Sequence, residues 1–582
     1  MTSEIETSSG ITKPLWSSIF AVIKAFINLL ICYFLGGKLF KLGILLVDMD
    51  FTIIIIAITG LILFLFGIEN FSKEIQKAAG GRFRLWLGKF TKNRVSATVL
   101  GTGVTAIIQS SAATTIIAVG LVNGGIISFA NSIGIIFGAN IGTTITAQLV
   151  AFKLTAFAPI FIIFGFLISL FGKKHKILGK GMFYFGIVFF SLNLISQAIT
   201  PIKTDPAIIS YFASLSNVFV ALLVGFIFTA LVQSSSVTTG IVVLLAADGL
   251  VGLQQSIPIL LGANIGSTVI TILSSLRLNL YARRLAIAHL LFNVIGALIL
   301  LPFIGPFSNM ISGIGGSASQ QVANAHTIFN IFVAIVFLFL LKYYKIFIEK
   351  IVPGEEKEIL MRNKYLKENL PENNNEAIKT IEKEIGYSLY VTSQMFKKDK
   401  MIVGEPTLKQ LDRLKRYEDL NDLLDSTIEK ALLKYSQRNL SDKEMEEVVL
   451  LVRISNLIEQ LGDSADDLGV LCNQVKEMGQ KPSEESKQSL NNMIVLLRKN
   501  IKYLERYFPN TTVNKKVLRT KSLKGVIDKQ FKDHFMRIKK RGNYPGSIFV
   551  EAVSNIELAF NIVNEISNLT EKYSKIRKRN GH

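Results

Sequence analysis

The sequence has almost no cysteine: its 582 residues hold two, Cys32 and Cys472, in stretches of opposite character. Two such residues make neither a disulfide framework nor a thiolate metal cluster. Charge is scarce too, with 18% Asp, Glu, Lys and Arg against 50% hydrophobic residues, which excludes an ordinary soluble protein. No nucleophile–base arrangement, nucleotide loop or Cys/His metal spacing is present, so an enzyme is not expected. Acidic residues are outnumbered, 43 against 64 basic, for a net charge of +21. No nucleic-acid recognition motif accompanies that excess. Many of the cations instead flank apolar runs: Arg82, Arg84, Lys89, Lys92 and Arg94, then Lys173, Lys174, Lys176 and Lys180, then Arg277, Arg283 and Arg284. The positive-inside rule puts such clusters on the cytoplasmic face, and nucleic acid is not an expected partner.

What is present is a sharp partition. From about Leu15 to Ile348 the chain is a series of apolar runs, many near the roughly 20 residues that a membrane-spanning helix needs. After Lys350 it turns Lys/Glu-rich and amphipathic. The expected organisation is all-α. Residues 1–50 form an N-terminal tail and first span, 51–350 a polytopic membrane domain, 351–375 a polar linker and 376–582 a cytoplasmic helical bundle. Leu15–Leu35 reads as a retained span, because Glu4 and Glu6 precede it and no basic leader with a cleavage site does. The bundle's helices are expected near Asn374–Lys397, Thr407–Lys434, Asp442–Met478, Glu484–Phe508, Val513–Lys540 and Ser547–Tyr573, with breaks at Pro509–Thr512 and Asn543–Gly546.

The membrane half repeats itself. Gln109-Ser110-Ser111-Ala112 recurs as Gln233-Ser234-Ser235-Ser236, and Gly138-Ala139-Asn140-Ile141-Gly142 as Gly262-Ala263-Asn264-Ile265-Gly266, all on one offset of 124 residues. Thr114-Thr115 and Thr238-Thr239 share it. About half of the positions in Thr105–Thr144 match Thr229–Thr268 without a gap. Basic residues precede the first copy and follow the second, so the copies are expected to be inverted in the membrane. The charge pattern closes only if each Gln-Ser-Ser segment enters and leaves on one side, as a re-entrant helical hairpin. The uncharged stretch Pro302–Asn324 then fits an external loop. A further duplication, Ala288-His289-Leu290-Leu291-Phe292-Asn293 and Ala325-His326-Thr327-Ile328-Phe329-Asn330, places polar groups inside spans. His289, Asn293, His326 and Asn330 are expected to face other helices.

These motifs carry chemistry as well as symmetry. Unsatisfied polar groups in hydrocarbon cost several kcal/mol each, so Gln-Ser-Ser with Thr-Thr must face protein, water or ligand. Hydroxyl and amide N–H groups donate to phosphate oxygens, and their oxygens, with backbone carbonyls, coordinate sodium. A broken helix adds free N–H groups and a positive end. No cationic side chain lies in either motif, so an anion held there would lack positive charge, which co-bound sodium can supply. The competing reading is that Ser and Thr merely let helices pack closely.

On these residues the chain resembles the type II sodium/phosphate cotransporter family over roughly Phe51–Ile348. The resemblance implies a multi-pass protein of the cytoplasmic (inner) membrane that couples sodium to inorganic phosphate. It maps the phosphate and sodium site onto Gln109, Ser110, Ser111, Gln233, Ser234, Ser235 and Ser236. Beside these, Thr114, Thr115, Asn140, Thr238, Thr239 and Asn264 complete the candidate set. Ala112 departs from the family, which often has a third Ser there. Electrogenic members carry an Asp shortly after the first motif, and here that place is Asn123-Gly124-Gly125, so electroneutral transport is expected. Asp248, near the end of the second hairpin, is expected to be a solvated carboxylate near the external surface.

The tail resembles a PhoU-like domain through Leu457–Asp463, which matches that family's Glu-x-x-x-Asp signature. Glu459 and Asp463 share a helix face by their i, i+4 spacing and are a candidate divalent or transition-metal pair; Glu418 and Asp422 repeat the spacing. The alternatives to a symporter are a phosphate exporter and a membrane-anchored sensor of phosphate status. A homodimer is left open.

Overall fold

In the computed structural model, the described residues are 51–79, 82–152, 154–172, 175–201, 203, 212, 214–354, 358–367, 369–397, 407–478, 484–509, 532 and 546–579. Among them every regular element is helical. The expected span at Leu15–Leu35 and, apart from Lys532, the expected tail helix at Val513–Lys540 lie outside the described residues. The chain divides into two compact units, Met1–Asn123 with Ile127–Glu356, and Gly124–Ile126 with Lys357–His582.

The first unit contains α1 (Phe51–Ala79), α2 (Arg82–Phe90), α3 (Arg94–Ile108), α4 (Ser111–Asn123), α5 (Phe129–Ala151), α6 (Ala158–Phe171) and α7 (Lys176–Ile199). It continues with α8 (Val218–Val232), α9 (Ser235–Ala247), α10 (Leu253–Gly266), α11 (Thr268–Ser275), α12 (Leu280–Leu300), α13 (Ile304–Ile314), α14 (Ala318–Phe339) and α15 (Leu341–Ile351). Six helical stretches among the described residues are long and apolar enough to cross a membrane.

The repeat offset holds in three dimensions. α3, α4 and α5 start and stop at positions that reappear 124 residues later in α8, α9 and the α10–α11 pair. The caps repeat as well: Asn93 accepts from the Val95 and Ser96 N–H groups, and Asn217 from those of Phe219 and Val220. Each cap satisfies N–H groups that a helix start leaves unpaired. Helix pairing also follows the repeat. A Cβ on Gly138 would collide with the Thr98 carbonyl, and one on Gly262 with the Leu222 carbonyl, again 124 residues apart. The glycines therefore let α5 lie directly on α3, and α10 on α8, the small-residue packing that membrane helices use.

Burial separates centre from periphery. Most of the α5 span is buried in the structure and most of the α1 span is not, so α5 is central and α1 presents most of its apolar surface outward.

The stretch 302–324 is helical where the sequence suggested a loop. Pro302 sits in the first turn of a short 3-10 segment, where its missing N–H is harmless. The apolar residues after it continue as α13, and Gly315 and Gly316, at φ 84° and 95°, end that helix before α14.

The second unit holds α16 (Asn374–Met395), α17 (Leu408–Ser436), α18 (Asp442–Glu477), α19 (Glu484–Tyr507) and α20 (Gly546–Arg579) around one apolar core. Between α15 and α16 the described residues have no helix, yet part of this segment is tied down. The buried Glu384 carboxylate on α16 accepts backbone N–H groups from Lys364, Tyr365 and Leu366 at 2.8, 2.5 and 2.8 Å.

Candidate functional site

Two helix breaks form the centre of the repeat. α3 ends on Gln109 and α8 on Gln233, each in the left-handed region at φ 59°, with ψ 26° and 25°. Non-glycine residues rarely adopt this conformation, which costs of order 1–3 kcal/mol each and must be held by surrounding structure. In both copies the break residue's backbone N–H closes the preceding helix, onto Thr105 and Thr229, at 2.7 Å. A hydroxyl pair then stitches each hairpin across its break, Thr105 to Thr114 at 2.8 Å and Thr229 to Thr238 at 2.5 Å. This clasp accounts for Thr114 and Thr238.

The helices that restart after the breaks differ in their caps. Ser110 Oγ accepts the Ala113 N–H at 3.2 Å, whereas Ser234 at the start of α9 makes no side-chain cap. The N–H groups at the start of α9, the positive end of a 13-residue helix, therefore receive no side-chain cap. Ser111, Ser235 and Ser236 are buried, and Ser110 and Ser234 are partly exposed. Thr115 and Thr239 are fully buried at equivalent positions, and neither hydroxyl has a hydrogen-bond partner among the described residues. A buried hydroxyl without a partner forfeits about 1–3 kcal/mol unless a ligand or water meets it.

Thr146, which sequence reasoning missed, joins the two copies. Its hydroxyl donates to Gln109 Oε1 at 2.7 Å and approaches Ser236 Oγ at 3.3 Å. Position 270, its equivalent in the second copy, is an isoleucine. That departure from the repeat is the signal that could have found it. Gln109 is buried and held at both ends, since its Nε2 also donates to Ala106 O. Gln233 is exposed, and its side chain makes no hydrogen bond among the described residues.

The two asparagines of the Gly-Ala-Asn-Ile-Gly segments serve different ends. Asn140 donates to its own helix at Ile136 O. Asn264 donates to Asn330 at 3.1 Å and meets His326 Nε2 at 3.1 Å, so α10 and α14 are joined through polar groups as expected. The expectation does not extend to the other duplicate. Asn293 donates to His289 O on its own helix, and both ring nitrogens of the buried His289 lack partners among the described residues.

Asp248 also departs from expectation. It is half-buried, accepts from Ser196 Oγ at 3.0 Å and lies 3.6 Å from the Lys203 ammonium, where a solvated carboxylate was expected.

In the tail, α17 and α18 bring Glu418, Asp422 and Asp463 together, with one oxygen of each within 4.8 Å of the others. Glu459 stands outside this triple but within its field. Burial, then repulsion from Asp463, Asp425, Asp422 and Glu418, pushes Glu459 up to about 7. Burial and the neighbouring Glu418 likewise raise Asp422 to about 6. The Lys415 ammonium, 2.5 Å from Glu418, already places one positive charge there.

The Na+/Pi-cotransporter family matches residues 63–197 and 210–340, two stretches that each contain one copy of the repeat. The Bacillus subtilis protein YqeW is 32% identical over 308 residues, 52% of this chain and 100% of that protein. The chain belongs to the Na+/Pi-cotransporter family. The Escherichia coli (strain K12) protein named "Putative inorganic phosphate export protein YjbB" is 26% identical over 412 residues, 70% of this chain and 76% of that protein. The human protein named sodium-dependent phosphate transport protein 2B is 34% identical over 139 residues, 22% of this chain and 20% of that protein. No solved structure matches. Family membership makes the first unit a sodium–phosphate transporter.

Proposed function

We propose that this chain carries inorganic phosphate with sodium across the cytoplasmic membrane by alternating access, through a site shared by the two helix breaks. The observation that carries this reading is the Thr146 bridge, which ties Gln109 in one copy to Ser236 in the other. Helix lengths support the re-entrant arrangement. The 15-residue α3 and α8 and the 13-residue α4 and α9 each reach about 20 Å, short of a hydrocarbon core of about 30 Å. Each pair therefore enters and returns as a hairpin, and the flanking cations orient the two copies oppositely. Phosphate is held by Gln109, Gln233, the serines after them and the uncapped start of α9. The hydroxyls of Thr115 and Thr239 are offered to sodium.

The tail is read as a PhoU-like cytoplasmic domain. Its carboxylates Glu418, Asp422 and Asp463, with Glu459 beside them, would hold a divalent cation, whose charge relieves the repulsion that raises their proton affinity. Labelled phosphate uptake into proteoliposomes tests the main reading. Uptake is expected to rise with an inward sodium gradient, and equal uptake with and without it would refute coupling. Export is the second reading, favoured by the similarity to YjbB, which at 412 residues runs beyond the family match. Phosphate efflux from loaded cells separates the directions.

A further inference from the structure

The tail contains a cleft of about 680 Å³ that neither the transport site nor the carboxylate cluster uses. One wall is a single face of α16, marked by Lys379, Lys383, Tyr387 and Tyr390 at helical spacing. Another part of the lining is the bent segment at Lys364 and Tyr365, fixed by the buried Glu384 through three backbone N–H groups. A wall held this way keeps its shape without a ligand.

The charges in the cleft do not cancel. Its two carboxylates are already engaged: Glu382 pairs with Arg577 at 2.8 Å and accepts from the Tyr573 hydroxyl at 2.6 Å, and Glu505 accepts from Ser393 at 2.9 Å. Lys364, Lys379 and Lys383 form no ion pair among the described residues. Three ammonium groups facing one concavity repel each other unless a polyanion enters.

The aromatic groups add a second kind of recognition. The Tyr387 and Tyr390 rings lie nearly parallel, 15° apart with centroids 6.0 Å apart. The Lys364 ammonium sits 5.0 Å over Tyr387 and 5.2 Å from Tyr365. Cations beside a stacked aromatic plate match a ligand that joins phosphate to a flat ring. Gly386, in the middle of α16, keeps the floor open. A Cβ there would meet only Phe508, at an ordinary 3.9 Å, so helix packing does not require the glycine, which costs about 1 kcal/mol in a helix relative to alanine.

We propose that this cleft is a nucleotide site, with phosphates on Lys379, Lys383 and Lys364 and the base on the Tyr387–Tyr390 plate. Its volume falls within the roughly 300–1,000 Å³ of small-molecule pockets. Lysines on a preformed wall take the place of a phosphate-binding loop. The inference stands independently of the transport reading.

The test is calorimetry on the full chain in detergent, in EDTA so that the carboxylate cluster holds no metal. ATP is expected to bind, with inorganic pyrophosphate at least about tenfold weaker because it lacks the ring. Lys379→Glu with Lys383→Glu should weaken ATP binding at least about tenfold. Gly386→Leu, which fills the floor while favouring the helix, should do the same. Thermal unfolding verifies that each variant is folded. Absence of ATP binding at millimolar concentration, undiminished binding in both folded variants, or pyrophosphate binding as tightly as ATP would each overturn the proposal.

Discussion

The two hairpins share a backbone and differ in what surrounds it. Gln109 and Gln233 have the same left-handed torsions to within a degree. Yet Gln109 is buried and locked by Thr146, while Gln233 is exposed and free of side-chain hydrogen bonds among the described residues. Ser110 caps its helix, and Ser234 does not. The backbone of the two breaks is the same, and single differences such as Thr146 against Ile270 set what surrounds it. On the alternating-access reading this asymmetry has a physical reason. Two equivalent halves in equivalent environments would leave the path open to both sides or to neither, so any one state of a carrier must treat its halves unequally.

The strongest way to break the comparison is to remove either glutamine. Gln109→Ala or Gln233→Ala is expected to abolish sodium-stimulated phosphate flux in proteoliposomes, with the protein still inserted and folded. If the exposed Gln233 were a mere remnant of duplication, its variant alone would transport normally. A smaller effect sharpens the contrast. Thr146→Val leaves Gln109 Oε1 without its donor at a buried position, a loss of about 1–3 kcal/mol, so flux should fall about tenfold. Ile270→Val at the equivalent place should leave flux within about twofold. Equal losses in both would remove the asymmetry that Thr146 is held to create.

Much of this was legible in the sequence, for reasons that particular residues make plain. The 124-residue offset predicted both breaks because Gln-Ser-Ser recurs within otherwise apolar runs, and the structure keeps even the caps Asn93 and Asn217 in step. Tail helices such as Asn374–Met395 and Asp442–Glu477 follow the expected pattern because amphipathic period and cap residues agree locally. What stayed hidden was long-range. No spacing rule places Thr146 beside Ser236, 90 residues away, or brings Glu418 on α17 to Asp463 on α18. The stretch 302–324 misled because lack of charge was taken for a loop, whereas apolar residues after a tolerated proline continue a helix.

The tail offers a third, moderate effect, driven by protons. Glu459 rises from 4.5 to about 7 and Asp422 from 3.8 to about 6 in the folded state. Between the unfolded and folded values the folded tail binds more protons than the unfolded chain. The stabilisation is therefore complete below about pH 4 and lost as pH rises through 7. In EDTA, the tail's unfolding temperature in the full-length protein should fall from pH 4.5 to pH 7.5. A divalent cation added at pH 7.5 should restore it, because the ion binds the deprotonated carboxylates. An unfolding temperature that climbs over this interval would contradict the raised proton affinities, and no response to Mg2+, Mn2+ or Zn2+ would remove the metal reading.

The smallest expected effect is no current at all. Divalent phosphate moving with two sodium ions is neutral, and a third sodium would carry one net charge inward. A buried ion needs a counter-charge, since an uncompensated one is strongly disfavoured in a membrane interior. The place after the first motif that holds an aspartate in electrogenic members of the family is Asn123-Gly124-Gly125 in this chain. The other carboxylate at a hairpin end, Asp248, is already engaged by Lys203 at 3.6 Å and by Ser196 at 3.0 Å. With Lys203 compensating it, Asp248 contributes no net negative charge to an additional ion. Electroneutral transport is therefore the expected outcome. Voltage-clamped membranes containing the protein should show phosphate flux without a phosphate-induced current. An inward current that disappears in a folded Gln109→Ala control would overturn this, and Asp248→Asn, which frees Lys203, would then be the first variant to record.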